Sequence, residues 1–249
     1  MIEVRNLSFR YLGGPPVLEG VTLAIPRGEV VNILGPNGSG KTTLLKLILG
    51  FMPVPPETVF VDSRPIGSVK RKDLARLLAY VPQSHAGVFH YKAQEVVLMG
   101  RTAASPWLRF SAADYKRAGE VLEKVRISHL ADRSYLRLSG GERQLVLIAR
   151  ALAQESAYLI MDEPVTGLDY GNQFHLLSVI RELAESGLSI VLTTHHPEQA
   201  VFLGGRALMF KEGRLVADGP ADGVITAASI CDLYGLPPGV FPQSAATAR

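Results

Sequence analysis

Gly35-Pro36-Asn37-Gly38-Ser39-Gly40-Lys41-Thr42 is the stretch around which the 249-residue chain is organised. It has the spacing G-x-x-x-x-G-K-[ST], in which glycines let successive backbone N–H groups turn inward around a polyphosphate. The setting suits the motif. An apolar run before it (Val30, Val31, Ile33, Leu34) reads as a buried strand, and a Leu-rich run after it (Leu44, Leu45, Leu47, Ile48, Leu49) reads as a helix. That helix would aim its positive N-terminal end at the anion. Lys41 supplies an ammonium for the β- and γ-phosphates, and the Thr42 hydroxyl is a hard oxygen ligand suited to Mg²⁺. The expectation is a strand, loop and helix that hold a nucleoside triphosphate with Mg²⁺.

Upstream, residues Ile2 to Ile25 alternate as antiparallel strands do, with a turn at Gly13-Gly14-Pro15-Pro16. Phe9 and Tyr11 share a strand face, and Tyr11, beside the turn, has two readings: a core filler, or a ring offered to a base. Downstream, Pro53, Pro55 and Pro56 precede a strand at Thr58 to Asp62, a helix from about Lys70 to Leu78, and the strand Leu78-Ala79-Tyr80-Val81. Gln83 follows that strand where a loop begins, the place at which open α/β sheets bind ligands.

From Ser84 the pattern turns helical, with Ala93 to Met99 and Ala112 to Val125 as amphipathic runs, so a helical insertion of about 84–150 is expected within the α/β body. Trp107, in an irregular stretch, reads as a contact residue or as a satellite-core anchor. Leu138-Ser139-Gly140-Gly141-Glu142-Arg143-Gln144 opens an apolar helix, with Ser139 as N-cap. Two glycines inside a helix start are costly, and close approach of their N–H groups to an anion would be the reason for them. Tyr158-Leu159-Ile160-Met161 is a second buried strand, ending in Asp162-Glu163-Pro164. Its adjacent carboxylates point to opposite sides, one suited to a metal and one to the γ-phosphate. Thr166-Gly167-Leu168-Asp169 turns into a helix through about Glu185, and Ser189 to Thr194 is a third buried strand tipped by His195-His196-Pro197. The two histidines lack Cys, Asp or Glu at ligand spacing beside them, which favours a non-metal role. Ala207 to Phe210 and Leu215 to Asp218 form a hairpin, and 237–249 reads as a frayed tail.

Composition narrows the class. Hydrophobic residues make up 47% and charged residues 20%, ordinary for a globular chain of one large or two small domains. No apolar run approaches the about 18 residues of a membrane span, and Met1-Ile2-Glu3-Val4-Arg5 has no signal-peptide core, so a cytosolic chain is expected. The single cysteine, Cys231, excludes an internal disulfide and reads as a buried thiol. A net charge of +3, with basic residues scattered apart from Lys70-Arg71-Lys72, gives no footprint for nucleic acid.

Taken together, these stretches resemble the ATPase subunit of an ATP-binding cassette (ABC) transporter over about residues 2–236. The motifs stand in that family's order: an A-loop aromatic (Tyr11), Walker A (Gly35 to Thr42), a Q-loop (Gln83), the signature (Leu138 to Gln144), Walker B (Leu159 to Glu163), a D-loop (Thr166 to Asp169) and a switch histidine (His195). The resemblance implies a P-loop NTPase fold of α/β class, with an N-terminal antiparallel β subdomain and an inserted α-helical subdomain. It further implies that Tyr11, with Val17 behind it, is the adenine platform and that Gly35, Pro36, Asn37, Gly38, Ser39, Gly40, Lys41, Thr42 and Thr43 hold the phosphates. Thr42, Gln83 and Asp162 resemble Mg²⁺ ligands, Glu163 the general base that orients water, and His195 the residue that holds the γ-phosphate. Family members act as dimers, which makes Ser139, Gly140, Gly141 and Gln144 of one subunit, and Asp169 of the D-loop, partners of the other subunit's nucleotide.

A finer resemblance is to ATPases of type II importers for metal chelates: iron-siderophores, haem, cobalamin and, in one branch, molybdate or tungstate. It rests on Leu78 to Gln83, on Val96-Val97-Leu98-Met99-Gly100-Arg101 and on Arg143 to Arg150. The implied partners are a polytopic membrane permease, a second copy of the chain and, indirectly, a periplasmic or extracellular substrate-binding protein, with the chain peripheral on the cytoplasmic face of the inner or plasma membrane. Phe89, Tyr91 and Val97 are candidate apolar contacts for the permease. Departures from the family's pattern, Glu57, Ser63, the segment Phe89 to Lys92 and His196, bear on cargo and touch no phosphate-handling residue. An exporter ATPase or a non-transport cassette ATPase is the alternative.

Overall fold

The computed structural model describes residues 1–83, 90–102 and 110–240. Phe89, Trp107 and the tail beyond Val240 lie outside the described residues. The chain packs as two compact units, residues 1–71 with 184 onward, and 72–183.

In the first unit, β1 (Ile2–Arg10), β2 (Pro16–Ile25), β4 (Val59–Val61) and β5 (Arg64–Pro65) form an antiparallel sheet in the order β2-β1-β4-β5. Alternation buries Val21, Leu23 and Ile25 of β2 while Thr22 stays exposed. In β1 the register shifts between Val4 and Leu7, where Asn6 takes a φ of 45°. This bulge keeps both apolar side chains on the core despite their odd spacing.

The second sheet of this unit centres on β3 (Val30–Leu34), parallel to both β8 (Ser189–Thr194) and β9 (Arg206–Lys211). Burial on both faces explains why β3 and β8 show no polar alternation. β10 (Arg214–Pro220) returns antiparallel to β9 through Glu212-Gly213, both at positive φ, as a two-residue hairpin turn requires. The hairpin is longer at both ends than its apolar residues alone suggest. Helix α1 (Lys41–Ile48) leaves β3 through the glycine loop. Three helices that the apolar pattern did not reveal close the unit: α7 (Pro197–Leu203), α8 (Ala221–Val224) and α9 (Ala227–Tyr234). They pack a core of Leu34, Ala200, Met209, Ala221, Ile230 and Leu233. Cys231 is buried, as expected.

The second unit holds the parallel pair β6 (Leu78–Val81) and β7 (Tyr158–Asp162), with Leu78 opposite Tyr158. Helices α3 (Ala93–Leu98), α4 (Ala112–Lys124) and α5 (Gly140–Ala153) pack on one another, and α6 (Tyr170–Glu185) follows the Walker B strand. A Cβ on Gly100 would lie 2.1 Å from the Arg150 carbonyl oxygen, so glycine lets the end of the α3 segment meet α5. Among the described residues no helix is long and apolar enough to cross a membrane.

Two expectations are corrected. The helix near Lys70 is α2 (Arg71–Ala75) and stops short of Leu78, because the Ala75 carbonyl is taken by the Gln154 amide and the Ser156 hydroxyl, and Leu78 is already paired in β6. Val97 is fully buried among the helices, so it is core and not a surface contact.

Candidate nucleotide site

In the first unit, the phosphate loop is built by β3 running out at Leu34 and α1 starting at Lys41. Gly40 caps α1 at φ 98°, and a Cβ there would meet the Val17 carbonyl oxygen at 2.8 Å and Leu18 at 2.7 Å. Only glycine allows the turn and the close packing at once. The loop is pinned on two sides, by Gly35 N–H donating to the Thr194 carbonyl (3.3 Å) and by Gly213 N–H donating to the Ser39 carbonyl (3.2 Å). Pro36 is half-buried, and Asn37 and Gly38 are exposed.

The Lys41 side chain is 5% exposed, and its ammonium donates to the Gly35 carbonyl at 2.7 Å and the Pro36 carbonyl at 3.0 Å. A buried cation is thus held at the mouth of a loop whose helix points its N-terminus the same way. The Ser39 hydroxyl is buried with no hydrogen-bond partner among the described residues. A buried hydroxyl left unsatisfied costs about 1–3 kcal/mol, which a phosphate oxygen would relieve. The residues present therefore fit a polyphosphate.

Tyr11 stands one residue beyond the end of β1 and is 44% exposed, which removes the core reading. Its ring meets Phe9 edge-on at 5.2 Å and 87°, and its hydroxyl lies 3.1 Å from the Thr43 hydroxyl on α1. The ring is therefore braced while half in solvent, an arrangement suited to receiving a planar base. Val17 is half-buried and Thr42 half-buried at the start of α1. His195 follows β8, half-buried, its ring 4.1 Å from that of His196.

In the second unit, β6 and β7 bring Gln83 and Glu163 together. The Gln83 amide donates to Glu163 Oε2 at 3.2 Å, and the Thr166 hydroxyl donates to the same oxygen at 3.1 Å. Glu163 adopts a φ of 43°, a left-handed conformation that costs a non-glycine residue about 1 kcal/mol. Asp162, the last residue of β7, is 2% exposed. Burial, with the Asp162 carboxylate nearby, pushes the Tyr80 phenol up to about 12, so Tyr80 stays neutral beside this acid. Within this unit Gln83 and Asp162 offer an amide oxygen and a carboxylate, oxygen donors of the kind Mg²⁺ takes.

Ser139 caps α5 as expected, and it does more: its hydroxyl accepts from Glu142 N–H, while Glu142 Oε2 accepts from Ser139 N–H at 2.7 Å. The S-x-x-E spacing was a visible signal for this reciprocal box. Gly141 has a packing reason too, since a Cβ would sit 3.2 Å from the Asn172 amide oxygen. Asn172 in turn is gripped by Asp169, whose carboxyl accepts its backbone N–H at 3.0 Å and its side chain at 2.5 Å. These bonds hold the Asp169 carboxyl below the usual carboxylate range. Gly140 starts α5 beside Leu168, and the Gln144 amide nitrogen is buried without a partner among the described residues.

The family model for ABC transporters matches residues 18–166. A hemin import ATP-binding protein of Streptomyces coelicolor is 36% identical over 94% of this chain and 83% of its own length. A molybdate import ATP-binding protein of Haemophilus influenzae is 33% identical over 98% of this chain and 91% of its own. Among solved structures, an inward-facing conformation of a metal-chelate type ABC transporter matches with a TM-score of 0.83 at 31% identity, covering 95% of this chain and 89% of that one. With the phosphate loop, the Walker B pair and the capped signature helix, these likenesses show that the chain belongs to the ABC transporter family, as an ATP-binding subunit with ATPase activity.

Proposed function

We propose that the chain is the ATPase of an importer for a metal chelate or a related oxyanion, such as an iron-siderophore, haem, cobalamin, molybdate or tungstate. The observation that supports this cargo class is the likeness, over nearly the whole chain, to relatives named for hemin and molybdate import and to a metal-chelate type transporter. The cassette spans 2–236 with its helical insertion at about 84–150, and two copies pair on the cytoplasmic face of the membrane beneath a permease. A substrate-binding protein delivers cargo on the far side.

The residues divide the work by their chemistry. Tyr11 and Val17 receive adenine; Gly35 to Thr43 receive the phosphates through backbone N–H groups and the Lys41 ammonium. Thr42, Gln83 and Asp162 would hold Mg²⁺, which would supply charge neutralisation at the phosphates. Glu163, held by Gln83 and Thr166, orients water for in-line attack, and His195 contacts the γ-phosphate. Ser139, Gly140, Gly141, Gln144 and Asp169 complete the site of the opposite copy.

The test is reconstitution in vesicles with the cognate permease. ATP should drive uptake of one of the named chelates, and Glu163→Gln should abolish it. ATP-independent uptake, or ATP-driven export, would overturn the importer reading.

A further inference from the structure

The peptide unit joining His195 to His196 is held at both of its polar ends. Its carbonyl accepts a hydrogen bond from the Tyr234 hydroxyl at 2.6 Å, and its N–H donates to the Thr194 hydroxyl at 3.0 Å. Thr194 is itself tied: its hydroxyl donates to Gln199 on α7 at 2.6 Å, and its carbonyl accepts from Gly35 of the phosphate loop. The peptide before His195 is already held at the Thr194 carbonyl, so fixing the plane after it fixes ψ of His195 and with it the direction in which the side chain leaves the backbone. Of the two anchors, Thr194 is local to the strand end. Tyr234 is not, because it comes from the last turn of α9, thirty-nine residues away in sequence.

Tyr234 is held by the packing of α9. α9 is capped by Thr226 through Ser229, and Ile230 and Leu233 sink into the cluster that contains Leu34, the residue before the phosphate loop, and Ala200 of α7. The Tyr234 ring packs against the same cluster. The helix therefore brings one phenol hydroxyl to the backbone at the tip of β8 from a rigid base.

We infer that Tyr234 is a positioning residue for hydrolysis, aiming His195 through its carbonyl while touching neither nucleotide nor water itself. This rests on the reading of His195 as the group that meets the γ-phosphate. A side chain aimed at the transferring group stabilises the transition state more than the bound ground state, so slackening it lowers kcat and leaves nucleotide affinity nearly unchanged.

The experiment is steady-state ATP hydrolysis by the full chain, with Tyr234→Phe, His195→Ala and the double variant. Tyr234→Phe keeps the ring in its cluster and removes only the hydroxyl. Loss of one net hydrogen bond predicts a fall in kcat of about tenfold, with KM for ATP within about twofold and the melting temperature close to wild type. In the His195→Ala background the same change should have no further effect, because there is no ring left to aim. A wild-type kcat in Tyr234→Phe beside a collapsed rate in His195→Ala would overturn the positioning role and leave His195 in place. Near wild-type turnover in His195→Ala would instead overturn the reading of His195. Multiplicative losses in the double variant, or a raised KM with a lowered melting temperature, would reduce Tyr234 to a structural part of α9.

Discussion

Gln83 and Glu163 stand eighty residues apart in sequence, and the Gln83 amide donates to Glu163 Oε2 across 3.2 Å at the ends of two paired strands. The amide nitrogen serves the carboxylate, which leaves the amide oxygen as the end of Gln83 that would serve the proposed Mg²⁺. In the proposed function, one residue would then touch both the ion and the carboxylate proposed to orient water. Thr166 holds the same carboxylate oxygen, so Glu163 is fixed from two sides before any substrate arrives.

Glu163→Gln should accordingly keep ATP affinity and lose turnover by about 10²- to 10⁴-fold, the usual contribution of a positioned base. The isosteric amide can still bond Gln83 and Thr166, so the fold should not change. Gel filtration with ATP and Mg²⁺ should show a trapped dimer. Near wild-type hydrolysis would remove Glu163 from its role.

Tyr11→Ala should weaken ATP binding by about tenfold, because base–aromatic stacking contributes about 1–3 kcal/mol. Tyr11→Phe keeps the ring against Phe9 and loses only the contact with Thr43, so its affinity should stay within about threefold of wild type. Titration with a fluorescent ATP analogue separates the two. An unchanged affinity in the Ala variant would leave Tyr11 as a brace for α1.

The three buried strands were legible as unalternating apolar runs, and the phosphate loop and the start of α5 because their glycines and cap residue suit only one backbone conformation. Gly40 is an example, forced by both its φ and the Val17 carbonyl. Tyr11 stayed ambiguous since a strand-end aromatic looks the same in sequence whether it faces core or solvent. The end of α2 was misplaced because side chains of Gln154 and Ser156, far away in sequence, take the carbonyl that a longer helix would use. Short helices such as α7 and α9 carry too few turns to set a period, although Pro197 at the first position and the Thr226–Ser229 pair mark their starts. Tyr234 could not have been linked to His195 without the structure.

The box between Ser139 and Glu142 ties stability to pH. Backbone donation from Ser139 holds the Glu142 carboxyl below the ordinary glutamate value, so its contribution is complete above that value and is lost as pH falls through the lower, folded-state pKa. Thermal melts from neutral to acid pH should show a steeper acid loss in wild type than in Glu142→Gln. Ser139→Ala should cost about 1 kcal/mol of stability through the lost cap. Ser139→Arg should leave ATP binding to one subunit intact while hydrolysis falls by orders of magnitude, since the signature is proposed to act across the dimer. Loss of binding itself would mean that the signature serves its own subunit's nucleotide.

The last prediction concerns how hydrolysis reaches the membrane. The segment after Gln83 leads to Tyr91, which is 41% exposed, and Lys92. Its backbone is stapled to the segment before α5: Tyr135 N–H donates to the Tyr91 carbonyl at 2.8 Å, Lys92 bridges Ser134, and the Lys92 ammonium meets Asp132 at 2.7 Å. A large ring half in solvent on a backbone held this firmly suits a docking contact, because little entropy is lost when a partner covers it. Val97 is fully buried on α3 and takes no part. Tyr91→Ser should therefore abolish or sharply reduce ATP-driven uptake in vesicles that contain the permease, while the isolated chain keeps its basal ATPase rate and its melting temperature. Full uptake in this variant would place the permease contact elsewhere. A fall in melting temperature together with basal activity would show that Tyr91 serves the helical unit itself.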